Sequence, residues 1–218
     1  TFPGLPLSST NNISGTWSPA PNNLQTTTYT FTPAAGVCAL TATLTVNVNP
    51  LPTLSITNIS NTTLLSCSQT SISLNAVGTG TFAWANGITP ISTGNALNIT
   101  TPGTYTVGLL DQNGCLSSSS ITITQDIAQP VAVITTNPNT QVLTCSTTSI
   151  ALIGSGGNTY SWSNGATAIA NFSTTNITAP GTYTLSVTGT NGCVDTEIIN
   201  ISQNITPPVA SITSNVAN

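Results

Sequence analysis

Five cysteines and four acidic side chains are all that this sequence offers for covalent, redox or acid–base chemistry. They are Cys38, Cys67, Cys115, Cys145 and Cys193, with Asp111, Asp126, Asp195 and Glu197; no Lys, Arg or His accompanies them. A nucleophilic Ser, Thr or Cys needs a neighbouring base of the His or Lys type, so that class of catalysis is excluded. Paired carboxylates need two acids in one site. Asp195 and Glu197 stand two apart on one expected strand, but Ser117 and Ser119 occupy the positions 78 residues earlier. They read as a solvated strand edge. Asp111-Gln-Asn-Gly presents one carboxylate and one amide, thin for calcium, and reads as an Asx-type turn feeding Cys115. Asp126 lies near a joint between repeats, where Asn204 takes its place at the next joint; calcium bridging there would need several more acids. No catalytic, cofactor-binding or metal-ligating residue is assigned. The cysteines lack any Cys-x-x-Cys and any His partner, whereas zinc takes four ligands. They are expected to form disulfides in an oxidising compartment.

The elements that place these residues recur. Pro180-Gly-Thr-Tyr-Thr-Leu-Ser-Val-Thr-Gly-Thr-Asn-Gly-Cys193 repeats the design of Pro102-Gly-Thr-Tyr-Thr-Val-Gly-Leu-Leu-Asp-Gln-Asn-Gly-Cys115. Pro52, Cys67, Trp84, Pro102, Tyr105 and Cys115 return 78 residues later as Pro130, Cys145, Trp162, Pro180, Tyr183 and Cys193. A shorter relative runs from Thr28 to Cys38, and Pro208-Val-Ala-Ser-Ile-Thr opens as Pro130-Val-Ala-Val-Ile-Thr does. The chain is a repeat array, with an incomplete repeat over 1–50, full repeats over 51–129 and 130–207, and the start of a further one over 208–218. The array is expected to continue past both ends, placing the partner of Cys38 before Thr1.

Within the third repeat, Val131–Thr135, Ser149–Leu152, Tyr160–Trp162, Thr175–Ile177, Thr182–Val187 and Glu197–Ile201 read as strands, with Val142–Cys145 as a seventh. Short strands punctuated by Gly, Asn and Pro indicate an all-β antiparallel sandwich of immunoglobulin-like type. Alternation assigns the core: Ile150, Leu152, Trp162, Ile177, Tyr183, Leu185, Val187, Ile199 and Ile201 in one repeat, and Ile72, Leu74, Trp84, Ile99, Tyr105, Val107, Leu109, Ile121 and Ile123 in the other. So small a core gains from a disulfide. The equal spacing of 48 residues favours Cys67–Cys115 and Cys145–Cys193, and a bond between neighbouring repeats satisfies the periodicity too. Pro50-Leu51-Pro52, Gln129-Pro130 and Pro207-Pro208 leave the joints little slack, so the repeats are expected end to end as a semi-rigid rod.

Absence of cations excludes phosphate neutralisation and hence nucleic acid as an electrostatic partner, as it does polybasic membrane contact. No apolar run approaches the ~20 residues that span a bilayer. Neutral strands protect their edges weakly, so lateral self-association is expected. Eight Asn-x-Ser/Thr triplets, at Asn12, Asn58, Asn61, Asn98, Asn171, Asn176, Asn200 and Asn204, matter only where the source glycosylates them.

Gly15-Thr-Trp-Ser-Pro-Ala20, Thr26-Thr-Thr-Tyr-Thr-Phe-Thr-Pro33 with Cys38, Tyr160-Ser-Trp-Ser-Asn-Gly165 and Gly181-Thr-Tyr-Thr-Leu with Asn-Gly-Cys193 resemble the Ig-like repeats of giant surface adhesins of Bacteroidota. The SprB-like gliding-motility adhesins, cargo of the type IX secretion system, are the best-known members. The resemblance covers essentially the whole chain. It implies an extracellular, cell-anchored filament whose partners are its own neighbouring repeats, with no cofactor and no catalytic residue. Two other functions are weighed: a passive stalk presenting another domain, and a carbohydrate- or ice-binding module that uses Thr-rich faces such as Thr26–Thr32 and Thr41–Val46.

Overall fold

A computed structural model describes residues 4–207 and 209–211. Most of the expected further repeat at 208–218 lies outside the described residues. The described chain carries strands and no helix. The first repeat contributes β1 (Gly15–Ser18), β2 (Thr27–Pro33) and β3 (Ala42–Val46). The second contributes β4 (Ser55–Asn58), β5 (Leu64–Ser66), β6 (Ile72–Val77), β7 (Thr81–Asn86), β8 (Thr89–Ser92), β9 (Ala96–Ile99), β10 (Gly103–Leu110) and β11 (Leu116–Asp126). The third contributes β12 (Val133–Asn137), β13 (Val142–Thr144), β14 (Ile150–Ser155), β15 (Thr159–Asn164), β16 (Thr167–Ala170), β17 (Thr174–Ile177), β18 (Gly181–Thr188) and β19 (Val194–Asn204).

By its contacts the chain divides into two compact units. One comprises Thr1–Thr57, Asn75–Leu97 and Tyr105–Ile121; the other comprises Asn58–Leu74, Asn98–Thr104 and Thr122–Asn218. The first contains the sheet β1-β2-β3, in which Trp17 and Phe31 meet at 5.1 Å between ring centroids. The second contains the whole third repeat, a two-layer sandwich. One layer is ordered β12-β14-β17 and the other β13-β19-β18-β15-β16. The strand orders β4-β6-β9 and β5-β11-β10-β7-β8 repeat that scheme eight elements earlier.

Period-two alternation sends Tyr183, Leu185 and Val187 of β18 to one face and Thr182, Thr184 and Ser186 to the other. The inward set joins Ile150, Leu152, Trp162, Ile177, Ile199 and Ile201 in one cluster, together with Ala132 and Leu143. In the second repeat Ile72, Leu74, Trp84, Ile99, Tyr105, Val107, Leu109 and Ile123 are buried, and so are Leu65 and Ala76. Ile121 is a correction: it is only half-buried. Its counterpart Ile199 is 9% exposed, so the position sits at the margin of the sandwich. Two further features are not marked by alternation. β8 and β16 form hairpins with β7 and β15, although Thr167-Ala-Ile-Ala170 lacks a polar–apolar alternation. And the sandwich is not wholly antiparallel, since β5 and β13 run parallel to β11 and β19.

The large core aromatics keep their polar atoms satisfied. The indole N–H of Trp84 donates to the Gly94 carbonyl at 3.0 Å, and that of Trp162 to the Phe172 carbonyl at 3.0 Å. An unpaired indole N–H at such depth costs about 1–3 kcal/mol. The Tyr183 hydroxyl donates to the Ala179 carbonyl at 2.8 Å, four residues upstream, the corner seen in immunoglobulin-like sandwiches. Burial pushes the Tyr183 phenol above its ordinary value. The neutral phenol is therefore favoured in the native state, and its contribution is present at neutral pH and lost as pH rises through the raised value. Tyr183→Phe should cost about 1 kcal/mol at neutral pH. Urea unfolding of both proteins should show that gap narrowing above the ordinary tyrosine range of about 10.

Candidate functional site

The cysteines do not pair as their equal spacing suggested. Cys67 is bonded to Cys193, 126 residues away, with Cα atoms 4.9 Å apart, and Cys38, Cys115 and Cys145 are free. Neither Cys67–Cys115 nor Cys145–Cys193 forms. The reason is the parallel edge strand. In the third repeat Val142, Leu143 and Thr144 pair with Ser202, Gln203 and Asn204, so Cys145 falls beside the end of β19. Its thiol donates to the Ile205 carbonyl at 3.7 Å. Cys193 immediately precedes the other end of that eleven-residue strand. At ~3.3 Å per residue the two cysteines are separated by roughly 35 Å, and a disulfide requires Cα atoms within about 7 Å. Leu64, Leu65 and Ser66 meet Thr124, Gln125 and Asp126 in the same register. Cys67 thus lies where β11 ends and the connection to the third repeat begins.

The turn that delivers Cys193 docks there. The Gly189 amide donates to the Cys193 carbonyl at 2.8 Å, the Gly192 amide to the Gly189 carbonyl at 3.0 Å, and the Cys193 amide to Asn191 Oδ1 at 3.1 Å. Asn191 Nδ2 donates to Asp126 Oδ1 at 2.9 Å and to the Ala128 carbonyl at 2.8 Å. The Ser68 amide and hydroxyl both approach the Asn191 carbonyl at 3.4 Å. Gly192 has φ 78°, and a Cβ there would lie 2.6 Å from Ser68 Cβ, so glycine is required by backbone conformation and by contact alike. The Cys193 side of the bond is buried and Cys67 is exposed.

The acids serve the backbone. Asp126 Oδ1 also accepts from the Ala128 amide at 3.1 Å. Asp111 Oδ1 accepts from the amides of Asn113 and Cys115 at 2.9 and 2.8 Å, closing the Asx-type turn. Asp195 Oδ2 accepts from the Ala132 amide at 2.9 Å, and Ser117, its counterpart, donates to the Pro52 carbonyl at 2.6 Å. Either residue fastens the last strand to the chain entering the repeat, which is why a carboxylate and a hydroxyl interchange. Glu197 is exposed. Among the described residues no three His, Cys, Asp or Glu side chains gather in a group suited to a metal ion. The recurring Asn-Gly-Cys marks the turn, but the Asn191 contacts to Asp126 and Ala128 reach 65 and 63 residues back along the chain and leave no local signal in the sequence.

The two layers, the buried tryptophans and the tyrosine corner define an all-β, immunoglobulin-like architecture. No protein-family model and no curated protein matches the sequence. Solved structures do match. An adhesin described as Ca2+-stabilized, which helps an Antarctic bacterium reach out and bind ice, is similar at TM-score 0.50 and 11% identity, over 86% of this chain and 59% of that one. Three N-terminal domains of the bacteriophage RB49 outer capsid protein Hoc match at TM-score 0.41 and 18% identity, over 70% and 59%. The fibronectin(III)-like modules of Clostridium thermocellum CbhA match at TM-score 0.36 and 14% identity, over 68% and 95%. The chain spans 59% of the length of the adhesin and phage chains. The likeness concerns the fold, and it rests on the first of these.

The pairing separates cleanly in a mutant cycle. Cys67→Ser and Cys193→Ser should each lower unfolding free energy by about 2–5 kcal/mol, and the double variant should lose no more than either alone. Additive losses in chemical denaturation would mean that the two cysteines belong to different bonds.

Proposed function

We propose that this chain is a shaft segment of a large extracellular surface adhesin, in which Ig-like repeats over 51–129 and 130–207 follow one another in an extended filament. The observation that carries the reading is the covalent clasp: Cys67 of one repeat holds Cys193 of the next, at the place where the proline-limited connection at Gln129-Pro130 joins them. A bond in that position resists separation of successive repeats under tension and serves no chemistry of its own. The rest of the molecule agrees with a mechanical part. Its carboxylates hold backbone amides, and trypsin finds no Lys or Arg to cut. The fold shared with an adhesin that reaches out from a bacterium and the motifs resembling SprB-like repeats support a cell-surface filament exported by a type IX system, used for attachment or gliding. Neighbouring repeats are its partners, with lateral association between filaments through uncharged strand edges.

A second reading has one specific observation in its favour. On the sheet β1-β2-β3, Thr16 pairs with Thr32, Ser18 and Thr43 flank Thr30, and Thr28 meets Thr45 with hydroxyls 2.9 Å apart. Such a hydroxyl array is a candidate contact face for sugar or ice.

Pulling the chain from its two ends separates these readings. With the clasp closed, the 126-residue span between Cys67 and Cys193 is withheld from extension. Reductant should release roughly 420–450 Å of additional length. No gain on reduction would sink the shaft reading, and micromolar binding in a glycan array or an ice-recrystallisation assay would move the function to the Thr face.

A further inference from the structure

The closed clasp has two halves, and the chain carries a second, open copy of each. The receiving half is Ser66-Cys67-Ser68-Gln69. Its Ser66 amide donates to the Gln69 carbonyl at 2.9 Å, the Gln69 amide returns to Ser66 Oγ at 3.1 Å, and Ser66 and Ser68 hydroxyls lie 3.1 Å apart. Thr144-Cys145-Ser146-Thr147 builds the same loop. The Thr144 amide donates to the Thr147 carbonyl at 3.0 Å, the Thr147 amide to Thr144 Oγ1 at 3.0 Å, and the Thr144 and Ser146 hydroxyls lie 3.0 Å apart. The adjoining chain matches too. Asp126 Oδ1 caps the Ala128 amide, and Asn204 Oδ1 caps the Thr206 amide at 3.4 Å, so the carboxylate oxygen and the carbonyl that Asn191 grips in the closed clasp have counterparts in Asn204 Oδ1 and the Thr206 carbonyl.

The delivering half is Gly189–Cys193. Asp111–Cys115 reproduces it: the Asp111 amide donates to the Cys115 carbonyl at 3.0 Å, the Gly114 amide to the Asp111 carbonyl at 3.1 Å, and a side-chain oxygen again caps the cysteine amide. Gly114 has φ 78°, as Gly192 has. The difference lies in what faces it. Gly192 presses on Ser68, whereas nothing lies within 4 Å of a Cβ built on Gly114. Cys145 is exposed and Cys115 half-exposed. Cys38 belongs to neither set, since its turn lacks both the side-chain cap and the closing amide–carbonyl bond at Ala34.

We propose that Thr144–Thr147 with Asn204–Thr206, and Asp111–Cys115, are complementary docking surfaces, each of which takes another copy of the same repeat and closes on it through a Cys145–Cys115 disulfide. The contact is heterologous, head to tail, and therefore propagates. Two copies of this chain meet its requirements. The chemistry is thiol–disulfide exchange. The Cys145 thiolate attacks a low-molecular-weight disulfide such as oxidised glutathione, forming a mixed disulfide and releasing one glutathione thiolate. The Cys115 thiolate of the second copy then attacks Cys145 Sγ and releases the other, so two protein thiols and one glutathione disulfide give one protein disulfide and two glutathione thiols.

The test uses the whole chain carrying Cys38→Ser, held in glutathione redox buffer and separated without reductant. A ladder of covalent oligomers is expected, and chymotryptic fragments should map the linkage to Cys115 and Cys145 with Cys67–Cys193 intact. Adding Cys115→Ser or Cys145→Ser should abolish the ladder. Mixing those two variants should restore a dimer alone, joined Cys145 to Cys115 in excess over random pairing. A monomer with free thiols, a Cys115–Cys145 bond inside one monomer, symmetric Cys145–Cys145 or Cys115–Cys115 dimers in equal yield, or exchange of Cys67–Cys193 into other pairs would each overturn the proposal. Neither cysteine is bonded in the folded chain, so loss of circular-dichroism signal in the serine variants would also count against it.

Discussion

The pairing of a three-residue edge strand with the last strand of its repeat governs the molecule. Because β13 meets β19 in parallel, over Ser202–Asn204, the cysteine that follows β13 comes out beside the end of the repeat. The cysteine that precedes β19 stays at the beginning. A strand of eleven residues stands between them, and no rotamer spans that distance. Cys193 bonds instead to Cys67, 126 residues earlier in the chain. Parallel pairs are less stable per residue than antiparallel ones, yet Leu65 and Leu143 of these strands are buried, so the short edges are anchored by packing as well as by their ladders.

Absence of cations shapes the remaining interactions. With no cation to pair, carboxylates accept from backbone amides, and hydroxyls and carboxamides do the same elsewhere. Asp195 and Ser117 fasten equivalent positions, and Asp126 and Asn204 cap equivalent turns. Such bonds contribute about 1 kcal/mol each and depend little on salt, unlike surface ion pairs. Among the described residues no buried side-chain nitrogen or oxygen lacks a partner. The sandwich is held by its apolar layer and satisfied polar atoms, and the Cys67–Cys193 bond adds a covalent constraint between segments 126 residues apart.

Much of the architecture was legible in the residues. Alternation along Thr182–Val187 names the inward side chains because a strand has only two faces, and Tyr183, Leu185 and Val187 are buried. The Asn164-Gly165 turn was legible as well, but not the alanine-rich β16 that follows it, whose pairing with β15 is imposed by the hairpin. Leu65 stands in a three-residue strand too short to show a period, whereas Ala76 continues the inward face of Ile72 and Leu74 but is too small a side chain to mark a core position. The Asn191 grip on Asp126 and Ala128 joins positions more than sixty residues apart, and no local pattern records it.

The sequence by itself determined the strand character of the chain and the tryptophan and tyrosine at the centre of its sandwich. These follow from residue type and spacing along one strand or turn. The tertiary structure alone decided which cysteines meet. Equal spacing is the same for a bond within a repeat and for one between repeats, and only the direction and register of β13 against β19, set by non-local packing, place each thiol at one end of the sandwich or the other.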